Sequence, residues 1–378
     1  MKIAHFHTAI YEHGGVSAYI GALARLQEAA GNEVFRFETT KTINPNGKAG
    51  AILIADEAEL FLNCTNLHID VLHYHTSLRH AAPPSVKVIR TVHEHSPHCI
   101  SGGLFLKRHG LPCPRTYHPV GCAYGHLWDH CGSLRPRNIL TGMRRLKAQQ
   151  KLLPRVTVVC VGAFLKSRMM IAGYPGSNIH VVPNFTDVTP ESGWLASSGP
   201  PAFLFMGRLE KLKGVEWLLR SFAQVKTDAI LNIAGEGQEL DALKALAETL
   251  QIGRKVKFLG WVQGAAKLHL LRRARALIVP SIWHETFGIV AIEAAALSRA
   301  VICSDAGELP YIIGNGREGI VVEAGHISQL THAIETLADN QETAGKMGAL
   351  GHLRYKALYT PEIHLRAMSD LYESDVVR

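Results

Sequence analysis

The sequence predicts an α/β protein built as two Rossmann-like lobes with parallel sheets, and three observations carry that prediction. Short apolar, β-branched runs alternate with helical stretches from Met1 onward, the pattern of parallel strands joined by crossover helices. A Pro-, Ser- and Gly-rich stretch, TDVTPESGWLASSGPP at residues 186–201, interrupts the pattern and reads as a linker. The strand–helix rhythm then starts again, and 378 residues are long for one domain and natural for two. The expected division is a first lobe at 1–185, a linker at 186–201, a second lobe at 202–358 and a final helical segment at 359–378.

In the first lobe, Lys2 to Phe6 reads as the opening strand. His13-Gly14-Gly15-Val16 then turns the chain into a helix carrying Tyr19, Ile20, Leu23 and Leu26. A double glycine between first strand and first helix lets backbone approach a phosphate closely. Positions 14 to 19 read GGVSAY, so the six-residue glycine fingerprint of NAD enzymes is absent. Further strands are expected at Glu33–Phe37, Val71–Tyr74, Val86–Val92 and Val156–Val161, and the run His180 to Asn184 closes this half. His93 follows TV at a strand's carboxyl end, where open α/β sheets place ligands. Residues 95–135 have little periodicity and read as an insert rich in Cys and His. Its Cys99, Cys113, Cys122 and Cys131 leave three states open: a structural zinc site, disulfides, or free thiols. Their wide spacing is not that of zinc ribbons or fingers. From Asn138, ILTGMRRLKAQQKLL has helical spacing with a basic face; core packing is favoured over lying on a membrane.

In the second lobe a strand at Phe203–Met206 leads into Gly207-Arg208-Leu209-Glu210-Lys211-Leu212-Lys213-Gly214. Arg208 can fork two phosphate oxygens, and Lys213 supplies a point charge. Strand Ile230–Ala234, helix Glu239–Leu250, strand Val256–Leu259, helix Ala265–Ala274 and strand Val301–Cys303 follow. The last helix is expected at Pro361–Tyr372.

The stretch Ala276–Leu297, ALIVPSIWHETFGIVAIEAAAL, carries the strongest chemical signal. A short buried strand precedes a loop and then a helix that is apolar on nearly every side, hence buried. Glu293 sits in the middle of that helix, where an unpaired ionised carboxylate is too costly to keep. It must therefore have a protein partner or face a polar ligand. Glu285 lies in the loop just ahead. Between them, the free N–H groups of Phe287, Gly288 and Ile289 form an anion site. Two carboxylates for hydroxyl groups and an amide nest for a phosphate suggest a sugar nucleotide.

Composition narrows the classes. With 47% apolar and 19% charged residues, and no run long enough to span a bilayer, the chain reads as a soluble cytoplasmic protein. Seven cysteines, an odd number, fit a reducing compartment. The net charge of +8 is uneven: residues 1–190 hold 20 Lys and Arg against 11 Asp and Glu, whereas the remainder holds 20 against 21. Such a field favours an anionic partner, which leaves room for peripheral contact with an anionic membrane at its inner face. Nucleic acid is not expected, because the most basic segment, residues 79–155, lacks the interleaved aromatics that stack bases.

The motifs also resemble a family, the retaining family-four glycosyltransferases with the two-lobed GT-B fold. The double glycine at 14 and 15, TVHE, VVPNFTD, GRLEKLKG, AGEG, FLGWV and ETFGIVAIE occur in that family's order over nearly the whole chain. The resemblance implies two sheets facing a central cleft, and a nucleotide-diphosphate sugar, most often a UDP-sugar, as donor. It implies a glycan or lipid-linked acceptor, metal-independent chemistry, and a place in polysaccharide, glycolipid or glycoconjugate synthesis. By the same resemblance His93 touches the donor sugar and Glu285 holds its hydroxyls. Gly14 and Gly15 approach the diphosphate, which Arg208 and Lys213 neutralise. Phe287, Gly288 and Ile289 bind phosphate or sugar oxygens, Glu293 binds the ribose, and Val262 lies beside the base. The chain departs from the pattern at Glu94, Ser298 to Ala300, Glu308 and Tyr311. Two rival readings remain: a sugar-nucleotide hydrolase or epimerase on the same scaffold, and a non-catalytic anion-binding module.

Overall fold

The computed structural model describes residues 1–10, 14–40, 50–191 and 199–374. His13, residues 192–198 of the expected linker and the last four residues of the final segment lie outside the described residues. The chain divides into two compact units. The first comprises 1–109, 113–187 and 361–378; the second comprises 110–112 and 188–360.

The first unit holds a parallel sheet built from β1 (Lys2–Phe6), β2 (Glu33–Glu38), β3 (Ile52–Leu53), β4 (Val71–Tyr74) and β5 (Lys87–Val92). After β6 (Phe105–Leu106) and β7 (Leu111–Pro112) in the insert, β8 (Thr157–Cys160) and β9 (Ile179–Val181) complete it. Among the described residues its strand order is β3-β2-β1-β4-β5-β8-β9. Strand order therefore reverses between β1 and β4, the switch point at which such sheets open a crevice. The strands read as continuous apolar runs because helices cover both faces of a parallel sheet. Helix α1 (Gly15–Ala29) buries Tyr19, Ile20, Leu23 and Ala24.

Asp56 caps α2 (Glu57–Asn66) by accepting from the amides of Ala58 and Glu59. The sequence reading missed this helix and the two-residue strand before it, since both are short and weakly apolar. The insert, expected to be irregular, holds α3 (Pro119–Trp128). Proline at its first position and the His118 ring accepting from the Gly121 amide start it. The basic stretch is α4 (Pro136–Leu152), which buries Leu146, Gln149 and Leu152 and leaves Arg137, Arg144, Lys147 and Lys151 exposed, as the core-packed reading held, while Arg145 turns inward to the Ile100 carbonyl. Helix α5 (Ala163–Ile171) follows β8.

The second unit repeats the plan with β10 (Ala202–Met206), α6 (Val215–Phe222), β11 (Ile230–Ala234), α7 (Leu240–Thr249), β12 (Val256–Gly260), α8 (Gly264–Arg273) and β13 (Ala276–Val279). Then come α9 (Ile289–Ala296), β14 (Ala300–Ser304), α10 (Leu309–Ile312), β15 (Gly319–Val322), α11 (Ile327–Asp339) and α12 (Gln341–Leu358). The order is β12-β11-β10-β13-β14-β15, all parallel, with the reversal between β10 and β13. Phe203, Leu218, Phe222, Leu231, Ile278, Ile302 and Ile334 meet in its core. The last helix, α13 (Pro361–Glu373), belongs to the first unit, where Met368 and Tyr372 join Ile3, Val71 and Ile89.

Candidate functional site

The loops at the carboxyl ends of β10 and β13 flank the switch point of the second unit, and they are fastened to each other. Ile282 donates its amide to the Leu212 carbonyl at 2.9 Å. Gly214 has φ +68°, and a Cβ there would stand 1.9 Å from the Pro280 carbonyl oxygen, so only glycine fits. A Cβ on Gly307, at φ +75°, would stand 2.2 Å from the Glu285 carbonyl oxygen, and the Glu308 amide donates to that carbonyl at 2.9 Å. These contacts fix Glu285 from two sides before any side chain is considered.

Lys213 and Glu285, 72 residues apart in sequence, meet here. The Lys213 ammonium donates to Glu285 Oε1 at 2.6 Å and lies over the Trp283 ring at 5.6 Å. The Ser281 hydroxyl donates to the same carboxylate oxygen. Ser281 is itself held by the Ser304 hydroxyl, which donates to its carbonyl at 2.6 Å. Phe287, Gly288 and Ile289 follow directly, with Gly288 at the N-terminal cap of α9. Within α9, Glu293 is buried and accepts from the Lys267 ammonium of α8 at 2.6 Å. Of the two alternatives for Glu293, a protein partner is therefore realised. Lys267 escaped the sequence reading because α8 carries several basic residues and nothing in their spacing marks one of them as inward-facing.

Arg208 follows β10, but its guanidinium pairs with Glu210 at 2.7 Å and is two-thirds exposed. Val262 is half-buried in the turn after β12.

In the first unit, Gly14 caps α1 and Gly15 opens it. A Cβ added to Gly14 would meet nothing within 4 Å among the described residues, so internal packing does not demand this glycine. His93 follows β5 and enters a buried network that sequence reasoning did not foresee. His75 Nδ1 lies 3.1 Å from His93 Nε2, His5 Nδ1 lies 2.9 Å from His75 Nε2, and Gln27 Oε1 lies 2.7 Å from His5 Nε2. His73 joins Tyr372 through Nδ1 at 2.8 Å and Thr91 through Nε2 at 2.6 Å. Strand pairing brings the rings together, since His5 and His73 are in register across β1 and β4. Burial, followed by the positive Arg90, lowers the His93 pKa to about 3. Burial likewise takes His5 to about 4 and His75 and His73 well below 6.5. These rings are neutral at physiological pH. Burial raises the Glu94 carboxyl, but Arg90, the Ser96 hydroxyl and the His93 amide outweigh it and hold the group below its ordinary value.

Two groups bear on metals. Cys99, Cys113, Cys122 and Cys131 are free thiols, and all four line one small pocket in the insert. Among the described residues, however, the side chains whose ligand atoms lie mutually within 4.8 Å are His5, His73 and His75, so the four sulfurs are not drawn together as a zinc centre. Every ring nitrogen of those three histidines already has a protein hydrogen-bond partner. No described helix is long and apolar enough to cross a membrane. In the insert, α3 leaves Val120, Tyr124, Leu127 and Trp128 exposed along one face. Tyr124 and Trp128 stack, and Arg108 lies over Trp128. This aromatic pair lies within the basic segment that the sequence reading took to lack interleaved aromatics.

Comparison with known proteins agrees with this geometry. Residues 192–352 match the model of the family described as glycosyl transferases group 1. A glycosyltransferase of Methanocaldococcus jannaschii is 40% identical over 121 residues, 32% of this chain and 31% of that one. Glycogen synthase of Mycobacterium tuberculosis is 29% identical over 204 residues, covering 52% and 49%. The matched region thus spans half or less of these relatives. Among solved structures, sucrose-phosphate synthase from Thermosynechococcus elongatus superposes with a TM-score of 0.71 at 19% identity, covering 98% of each chain. Anabaena HepE, solved in complex with UDP-glucose, gives 0.68 at 14% identity, covering 98% of each. These likenesses establish the GT-B fold.

Proposed function

We propose that this chain, whose residues 192–352 belong to the glycosyl transferases group 1 family and whose fold is GT-B, moves a sugar from a nucleotide diphosphate to a hydroxyl acceptor. The observation that carries the reading is the pair Lys213–Glu285 fixed beside the start of α9. An ammonium and free helix amides together suit a diphosphate, and a carboxylate beside them suits sugar hydroxyls. That Anabaena HepE was solved with UDP-glucose supports a UDP-sugar as donor.

In this reading the anomeric carbon–phosphate bond breaks through a transition state with oxocarbenium character, and charge grows on the leaving diphosphate. Lys213, Arg208 and the amides of Phe287, Gly288 and Ile289 then bind the transition state more tightly than the ground state, which accelerates the reaction. Glu293, held by Lys267, accepts from the ribose hydroxyls, and Val262 packs beside the base. Gly14 and Gly15 give the diphosphate a close backbone approach. Neutral His93 serves the donor sugar by hydrogen bonding and does not supply a proton, since its pKa lies near 3. Retention of configuration follows from front-face attack with the donor phosphate taking the acceptor proton, and the cationic groups make a divalent metal unnecessary.

The acceptor is proposed to be an anionic glycan or lipid-linked sugar. The basic excess around α3 and α4 supports this, as does the exposed Tyr124–Trp128 face, which suits peripheral contact with an anionic bilayer. The enzyme then works at the cytoplasmic side of the membrane. The deciding experiment incubates the protein with UDP-glucose and other nucleotide sugars and measures nucleotide release with and without a panel of acceptors. Release that requires an acceptor supports transfer. Acceptor-independent release would instead make the protein a hydrolase, and stabilisation by no nucleotide sugar in a thermal-shift panel would end the reading.

A further inference from the structure

The network behind His93 does more than bury a histidine, because the proton order along it follows from the amide at its far end. Beside it, His364 Nδ1 lies 2.7 Å from the Pro183 carbonyl, which can only accept, so Nδ1 donates and Nε2 is left to accept from the Tyr19 hydroxyl at 2.9 Å. Tyr372 lies 2.8 Å from His73 Nδ1, and its oxygen accepts from the Gln27 amide nitrogen at 2.9 Å.

That last contact fixes the orientation of the Gln27 amide, turning its carbonyl to His5. His5 donates from Nε2, so its Nδ1 accepts from His75 Nε2; His75 Nδ1 in turn accepts from His93 Nε2. Neutral rings permit only one donor each, so no step in the sequence can be reversed alone. His5 and His73 have no exposed surface and His75 only 1%, whereas His93 keeps 9%, which makes it the outlet of the network.

We propose that Gln27 is a positioning residue that holds His93 in a single tautomer, protonated at Nε2 and bare at Nδ1. The ring nitrogen left for a ligand is then an obligate acceptor, suited to a sugar hydroxyl and unable to donate to one. This use of the ring rests on the donor-binding reading of His93; the tautomer itself does not. The last helix thereby reaches a candidate site residue through hydrogen bonds, because Tyr372, whose oxygen accepts from the Gln27 amide, lies on α13.

The test is long-range proton–nitrogen correlation spectroscopy of the full chain carrying nitrogen-15 histidine, at neutral pH. The expected spectrum shows His93, His75 and His5 protonated at Nε2 and His364 at Nδ1. His93 protonated at Nδ1, or averaging between forms, overturns the proposal without any variant being made. Gln27→Met removes the acceptor at His5 and is expected to lose the single His93 tautomer; Gln27→Glu, which still accepts at that position, is expected to keep it. A merely structural Gln27 would lower the melting temperature in both variants with the His93 signal unchanged, and that result also sinks the proposal. Turnover of His93→Ala with UDP-glucose separates the two readings: normal turnover ends the donor role of His93 while the spectrum still decides the tautomer.

Discussion

After β10, β12 and β13 the second unit holds ammonium groups against carboxylates, Lys213 with Glu285 and Lys267 with Glu293. On and just after β1, β4 and β5 the first unit holds imidazoles, hydroxyls and one amide, all uncharged. Both sets lie around the switch point of a parallel sheet, so topology alone does not choose the chemistry. The difference teaches what each region is built to meet. Paired charges kept partly in reach of solvent are ready to exchange partners with a charged ligand. A neutral network with every proton committed can only orient, because charging any ring inside it is opposed by burial.

The largest expected effect tests the charged side. Lys213→Ala and Glu285→Ala should each lower nucleotide-sugar turnover by at least about 100-fold, the scale of losing one preorganised charge contact. Steady-state kinetics on the folded variants checks this. Turnover within a few-fold of the parent would remove that residue from the mechanism and would leave the contrast between the regions without a functional meaning.

Next in size is the ion pair within α8 and α9. Lys267→Met leaves the Glu293 carboxylate buried without its ammonium and should cost about 2–3 kcal/mol, below the full buried-pair penalty because Lys267 is partly exposed. Adding Glu293→Gln should recover much of that loss. Chemical denaturation of both variants gives the comparison, and equal instability in the single and double variants would mean that the pair is not what burial demands.

Acid tests the neutral side. Burial puts the pKa of His5 and His364 near 4 and that of His93 near 3, below the 6.5 of an unfolded histidine. As pH falls below about 6.5, the unfolded chain therefore binds protons that the folded one refuses. The stability contributed by these rings is full above that pH and drains away toward pH 4 and below. Melting temperature followed from pH 8 to 4 should fall with uptake of more than one proton. A flat profile would mean that the rings charge in place and that the network is not neutral.

Legibility in the sequence follows the same divide. Both sheets, the buried helix around Glu293 and the glycine-flanked loop at Arg208 could be read because periodicity, glycine and proline mark them locally. Glu285 could be named as a site residue, but its partner Lys213 could be named only for a phosphate, since nothing local joins residues 72 apart. The histidine network was invisible. His5, His73, His75 and Gln27 sit on separate strands and a helix, and only sheet register makes them neighbours. Helix α3 was missed although Val120, Tyr124, Leu127 and Trp128 recur at helical spacing, because Gly121 and Gly125 interrupt it with poor helix formers.

The smallest expected effect concerns Arg208, which the sequence assigns to phosphate and the structure ties to Glu210. An exposed pair of this kind is worth about 0.5–1 kcal/mol, so a ligand phosphate can displace Glu210 at little cost. Glu210→Gln should lower stability by no more than that amount and tighten UDP binding by about 2- to 5-fold, that same free energy returned to the ligand. Calorimetric titration of the variant with UDP measures it. Unchanged affinity would show that Arg208 does not leave Glu210 for the nucleotide, and the cationic work at this loop would then fall to Lys213 alone. Affinity raised well beyond that range would mean that Glu210 repels the nucleotide directly, which an exposed carboxylate screened by salt does not do strongly.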